Sequence, residues 1–268
     1  MARLVAGETL LAPRLEVIAG DFLDGEARER VRQRLQQFVK SEIERRLAPL
    51  FSIHELPLSG SSRGLAFQLV DALGCIPASA VGAQVKQLDQ PSRRALARIG
   101  VRFGTESVYV EPLLRPDPVR FRALLWAVKH GRQVPPLPGA KKHGRAFPAD
   151  PALPASFYAA IGRPVVGGLA LRPDRLERLA AAARGRARGG NFAADPELAE
   201  TAGLRVDELH RVLEGLGYRG RRDTPGADAG VVTFRARPRG RAIPQPARSR
   251  ARSGEPHPFA KLKELKFA

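Results

Sequence analysis

The chain has 268 residues, enough for one large domain or two to three small ones, and 43% are apolar, which excludes wholesale disorder. Its 45 basic residues against 27 acidic ones leave a formal charge of +18, a balance that favours polyanionic partners, RNA or DNA foremost. Aromatics at 6% argue against a large base-stacking surface, the lone cysteine excludes an intrachain disulfide or Cys-x-x-Cys zinc site, and no apolar run approaches the roughly 20 residues of a membrane span.

The N-terminus, MARLVAGETLLAPRLEV, has proline and acid where a secretory signal would continue its apolar stretch, so a cytoplasmic protein without membrane partners is expected. Its segments ARLVAG and LEVIAG read as short strands. A long helix follows, capped by Asp24, with Val31, Leu35, Phe38, Val39, Ile43 and Leu47 as its apolar stripe, ending near Pro49. Its arginine-rich opposite face reads as a solvated surface. From Leu58 to Gly74 a serine-capped helix with Leu65, Leu69 and Leu73 on one face stops at glycine. Gly60 and Gly64 lack the Gly-Lys pair of a phosphate-binding loop and mark only the start of that helix. Cys75, set in LGCIP, reads as a small buried hydrophobe, and the five histidines have no metal-ligand spacing.

Short helices are expected over Ser79–Leu88 and Pro91–Ile99, then a glycine-framed GVRFG and an alternating VYV. Next comes a helix with Asp117 as N-cap, Pro118 in its first turn and Gly131 just past its end. Phe121, Leu124, Leu125 and Val128 form its face beside Trp126, the only tryptophan. The proline-rich stretch 133–153, with Lys141, Lys142, His143 and Arg145, reads as a linker contributing little to a core.

Beyond it come a short helix (Pro154–Ile161), a strand-like PVVGGLALR, a helix over Pro173–Ala183 and a flexible basic loop, Arg184–Gly190. Asp195 and Pro196 open a helix that ends at Gly203, and Val206–Leu216 forms another, with Leu209, Val212, Leu213 and Leu216 inward. Strands over Tyr218–Arg222 and Val231–Arg237 complete a helix-turn-helix with a trailing hairpin, the winged-helix plan, in which Val206–Leu216 is the recognition helix. The tail carries seven arginines and no acid between Arg235 and Arg252, then an amphipathic HPFAKLKELKFA with Phe259, Leu262 and Leu265.

The block LSGSSRGLAFQLVDALG…VKQLDQPSRRALARIGVRFGTESVYVEPLLRPDPVRFRALLWAVKHG resembles the region that follows the motor in superfamily 2 ATP-dependent helicases, bacterial relatives of the mitochondrial-degradosome RNA helicase. The likeness extends back through GDFLDGEARERVRQRLQQFVKSEIERRLAPLF and forward to the closing PFAKLKELK. It covers most of the chain. The departure is large: the chain has no phosphate-binding loop and no DEx[HD] box, so no residue inherits a catalytic role, and no cofactor is expected here. ATP and Mg²⁺ would belong to a motor supplied in cis or in trans, and the start within what reads as a strand pair favours a fragment of a longer protein.

The expected architecture is mainly α with small β elements. A helical accessory domain occupies 1–132, a linker 133–153, a winged-helix-like domain 154–238, and a basic disordered tail 239–268. The expected function is that of a nucleic-acid-binding accessory region of a helicase, inactive as an ATPase. A stand-alone winged-helix DNA-binding protein and a protein-interaction scaffold are the alternatives. Candidate phosphate contacts are Arg184, Arg186 and Arg188 in the basic loop, and Arg205 and Arg211 on the recognition helix. Arg219, Arg221, Arg222, Arg235 and Arg237 on the wing complete the set.

Overall fold

A computed structural model describes residues 2–18, 25–138, 145–222 and 232–236, all within one compact unit that ends at Ala236. The expectations for Asp24, Lys141, Lys142, His143, Val231, Arg237 and the tail 239–268 lie outside these residues. The described chain is mainly helical with small sheets, and none of its helices is long and apolar enough to cross a membrane.

Strands β1 (Ala2–Val5) and β2 (Arg14–Val17) pair antiparallel, Ala2 opposite Val17, and lead to α1 (Gly25–Arg46). Only the end of the α1 stripe reaches the core. Ile43 and Leu47 are buried, whereas Val31 and Phe38 remain 38% and 60% exposed, a correction to the stripe read from apolar spacing. Then come α2 (Ala48–His54), α3 (Gly60–Asp71), β3 (Cys75–Pro77) and α4 (Ala78–Gln87). Ser59 stands at the N-cap of α3 without a side-chain cap bond, and Ser61 and Ser62 lie inside the helix; at its other end Leu73 and Gly74 take positive φ and the Gly74 amide donates to the Leu69 carbonyl. Asp89 caps α5 (Gln90–Ile99), accepting from the Ser92 amide at 2.7 Å.

The glycine-framed segment forms a hairpin of β4 (Val101–Phe103) and β5 (Ser107–Val110), and β3 adds to its other edge in the order β3-β5-β4. A 3₁₀ turn over Glu111–Leu114 leads to α6 (Pro116–His130). This helix starts one residue before the expected Asp117 cap, because Pro116 supplies the preset φ and lacks only the first-position amide, which no intrahelical carbonyl would accept from. Asp117 instead accepts from Arg46 Nη1 at 2.8 Å. The buried face of α6 centres on Val119, Arg122, Ala123 and Trp126, while Leu124 is 38% exposed. The apolar reading passed over Arg122 because it is charged, and so rotated the face. Trp126 meets Phe157 edge-on at 5.1 Å and stacks on His130 at 4.2 Å.

The proline-rich stretch is not empty of core. Pro135 is buried, Leu137, Phe147, Ala149 and Leu153 pack on the helical core, and Phe147–Pro148 is itself a strand, β6. Proline removes a backbone donor but leaves a ring that packs. α7 (Ala155–Ala160) lays Phe157, Tyr158 and Ala160 into the same core. The strand-like PVVGGLALR is a tight hairpin of β7 (Val165–Val166) and β8 (Leu169–Ala170), turned by Gly167 and Gly168 at φ +58° and +75°, and β8 pairs on its other edge with β6.

The second core lies under α8 (Pro173–Ala187), β9 (Phe192–Ala193), α9 (Pro196–Ala202), α10 (Val206–Gly215), β10 (Tyr218–Arg222) and β11 (Val232–Ala236). The strands pair antiparallel in the order β10-β11-β9. Glu177 of α8 staples this part to the helical one. Its carboxylate accepts from the amides of Thr105, Glu106 and Ser107, each at 2.8 Å, and from the Thr105 hydroxyl at 3.0 Å. Gly104 leaves room for it: a Cβ there would fall 2.1 Å from Glu177 Oε1.

Candidate nucleic-acid interface

The β10-β11-β9 sheet is amphipathic in cross-section. On its inner face Phe234 is 1% exposed, tilted against Phe192 at 6.3 Å and His210 at 5.5 Å, while Tyr218 meets Phe192 edge-on at 5.4 Å. Gly220 lies opposite Phe234 in the register, and a Cβ at Gly220 would come within 3.1 Å of that ring. The ring therefore fills the space a side chain would take. Strand alternation then turns Arg219 and Arg221, on either side of the glycine, to the outer face.

Register completes that face. Arg219 stands directly opposite Arg235 and Arg221 opposite Thr233, which in turn faces Ala193 of β9. Asn191, Arg219, Arg221, Thr233 and Arg235 line a groove of about 310 Å³. All three arginines are exposed, and none has a carboxylate within ion-pair distance among the described residues. A like-charged pair directly across a ladder opposes folding by about 0.2–1 kcal/mol, a cost that an anion on this face removes.

The other candidate arginines stand differently. Arg184 and Arg186 are not in a loop, since α8 continues through Gly185 to Ala187, about one turn beyond the expected end at Ala183. Arg184 pairs with Glu106 at 3.3 Å, and Arg186 binds both Asp195 and Glu197. Asp195 meanwhile caps α9 through the Leu198 amide at 2.8 Å. These two cations hold elements together. Arg205 precedes α10 and reaches Asp207 at 3.2 Å and Glu208 at 3.5 Å, while its amide donates to Glu208. Arg188 and Arg211 are exposed and have no carboxylate partner among the described residues, but Arg211 shares the outer row of α10 with Asp207 and Glu214. Only the backbone of Arg222 is described.

Asn191 and Thr233 were absent from the sequence expectations. Alternation through VTFRA places Thr233 with Arg235, whereas Asn191 joins only because β9 pairs with β11, which nothing local announces. Among the described residues no cluster of three or more His, Cys, Asp or Glu side chains could hold a metal ion. Cys75 is 4% exposed, and burial pushes its thiol up to about 12. Native protein is expected to leave Cys75 unlabelled by a thiol reagent over hours, with one thiol per chain appearing in denaturant; rapid native labelling would contradict the burial.

Compared with protein-family models, curated proteins and solved structures, the chain has no match.

Proposed function

We propose that this chain binds nucleic acid by neutralising phosphates on the outer face of the β10-β11-β9 sheet, as the non-catalytic accessory region of an ATP-dependent helicase. The observation that carries the binding half is the row of Arg219, Arg221 and Arg235, exposed, without a carboxylate partner among the described residues and partly opposed to one another. The element order helix, strand, helix, helix, hairpin over α8 to β11, with the first strand joining the hairpin, supports a winged-helix-like unit. The motor half of the proposal rests on the resemblance of the Leu58–Gly131 block and the PFAKLKELK ending. The coding sequence upstream of Met1 is the place to look for the missing phosphate-binding loop and DEx[HD] box.

A salt titration tests the binding. Fluorescence anisotropy with a mixed-sequence oligonucleotide should weaken steeply between 50 and 200 mM salt, and replacing Arg219, Arg221 and Arg235 by alanine should lower the log–log slope by about 2–3. Loss should be similar across sequences, because phosphate contacts position without reading bases. No binding at low salt, or a slope unchanged in the triple variant, refutes the proposal.

A further inference from the structure

We infer that the sheet face takes the sugar–phosphate backbone of a duplex, and that α10 stays out of the grooves. This rests on the nucleic-acid reading of the same face. Two independent features of the structure carry it.

The first is what the face lacks. Proteins that hold single strands put aromatic rings under successive bases. Here every ring of the sheet is turned inward: Phe234 and Phe192 are buried, and Tyr218 is engaged edge-on with Phe192. The outer face offers Arg219, Arg221, Thr233 and Arg235, a surface of charge and hydrogen-bond donors with no platform for a base. Affinity must then come from phosphate density, which is higher on a duplex than on one strand.

The second is the charge of α10. A helix that enters a major groove lies between two phosphate rows and needs a neutral or basic outer surface. The outer row of α10 runs Asp207, Arg211, Glu214, and Glu208 adds a further carboxylate near its start. Arg205, the cation beside that start, is already shared between Asp207 and Glu208. Insertion would press these carboxylates against phosphates. The helix of this unit that ordinarily reads bases is therefore the one repelled by nucleic acid, and the sheet beside it is the one attracted.

The test uses the full chain with a mixed-sequence 20-mer, single-stranded or annealed to its complement, in ribose and deoxyribose forms. Anisotropy at 150 mM salt should show the duplex bound at least fivefold more tightly than the single strand. In R219A/R221A/R235A that preference should fall below twofold, while R219K/R221K/R235K should keep it. Arg211→Ala should change duplex affinity less than twofold. The arginine-rich stretch beyond Arg235 is present in every protein compared, so its contribution cancels. Thermal melting of the triple alanine variant should match or slightly exceed the wild type, since it removes only exposed cations, two of them opposed across the ladder. Equal or tighter binding of the single strand, or a loss in Arg211→Ala as large as in the triple variant, overturns the duplex assignment and leaves the nucleic-acid reading intact. Failure of both forms to bind overturns that reading itself.

Discussion

Replacing Arg122 by methionine should cost about 3–5 kcal/mol of unfolding free energy. The side chain is completely buried in α6, and its guanidinium donates to the carbonyls of Leu73 at 2.8 Å, Leu113 at 2.7 Å and Ile161 at 3.0 Å. Those oxygens belong to the end of α3, the 3₁₀ turn and the end of α7, so one side chain completes the hydrogen bonding of three segments. Burial lowers its pKa to about 10, which still leaves a cation at neutral pH. Methionine fills similar length but strands three buried acceptors. For a unit of this size the melting temperature should fall by roughly 6–20 °C. Arg122→Lys should recover only part of this, because an ammonium cannot reproduce the planar fork. Gly162→Ala should also destabilise: its φ is +65° and a Cβ would lie 3.0 Å from Arg122 Nη1. A methionine variant within 1 kcal/mol of wild type in urea would show that the three bonds do not matter.

Glu177→Ala is expected to cost about 2–4 kcal/mol, since three backbone amides and a hydroxyl lose a charged acceptor. Gly104→Ala should cost a similar amount by expelling the carboxylate, whose place the new methyl would take. The double variant should then be little worse than either single one, a coupling of at least about 1 kcal/mol in a double-mutant cycle. Strict additivity would mean that Gly104 and Glu177 act independently and that the packing around the hairpin is not built on this contact. The nearby Arg184–Glu106 pair, about a third exposed on each side, adds little of its own.

What local sequence could reveal follows from how far each interaction reaches. Asp195 before Pro196, Gly203 after α9 and the inward Leu209, Val212 and Leu213 of α10 were legible because caps and helical spacing act within a few residues. Strands β10 and β11 were legible for the same reason. Strands β3, β6 and β9 were not, being two or three residues long and defined by partners distant in the chain. The arginines divide on the same principle. A charge count cannot separate Arg219 from Arg186, because the carboxylates that occupy Arg186 are brought in by the fold. Arg122 was missed since its partners are carbonyl oxygens, which every residue has and no composition records.

The Glu177 staple also fixes a direction. With the hairpin of the helical part held by α8, and with Phe157 and Tyr158 seated in the helical core, the cationic sheet has no free swivel relative to Trp126 and its neighbours. If the sheet binds nucleic acid as proposed, a backbone held by Arg219, Arg221 and Arg235 would pull on a stiff arm and not on a tether. Whatever anchors the helical part would feel that load as torque, in a heading set by one carboxylate and three amides.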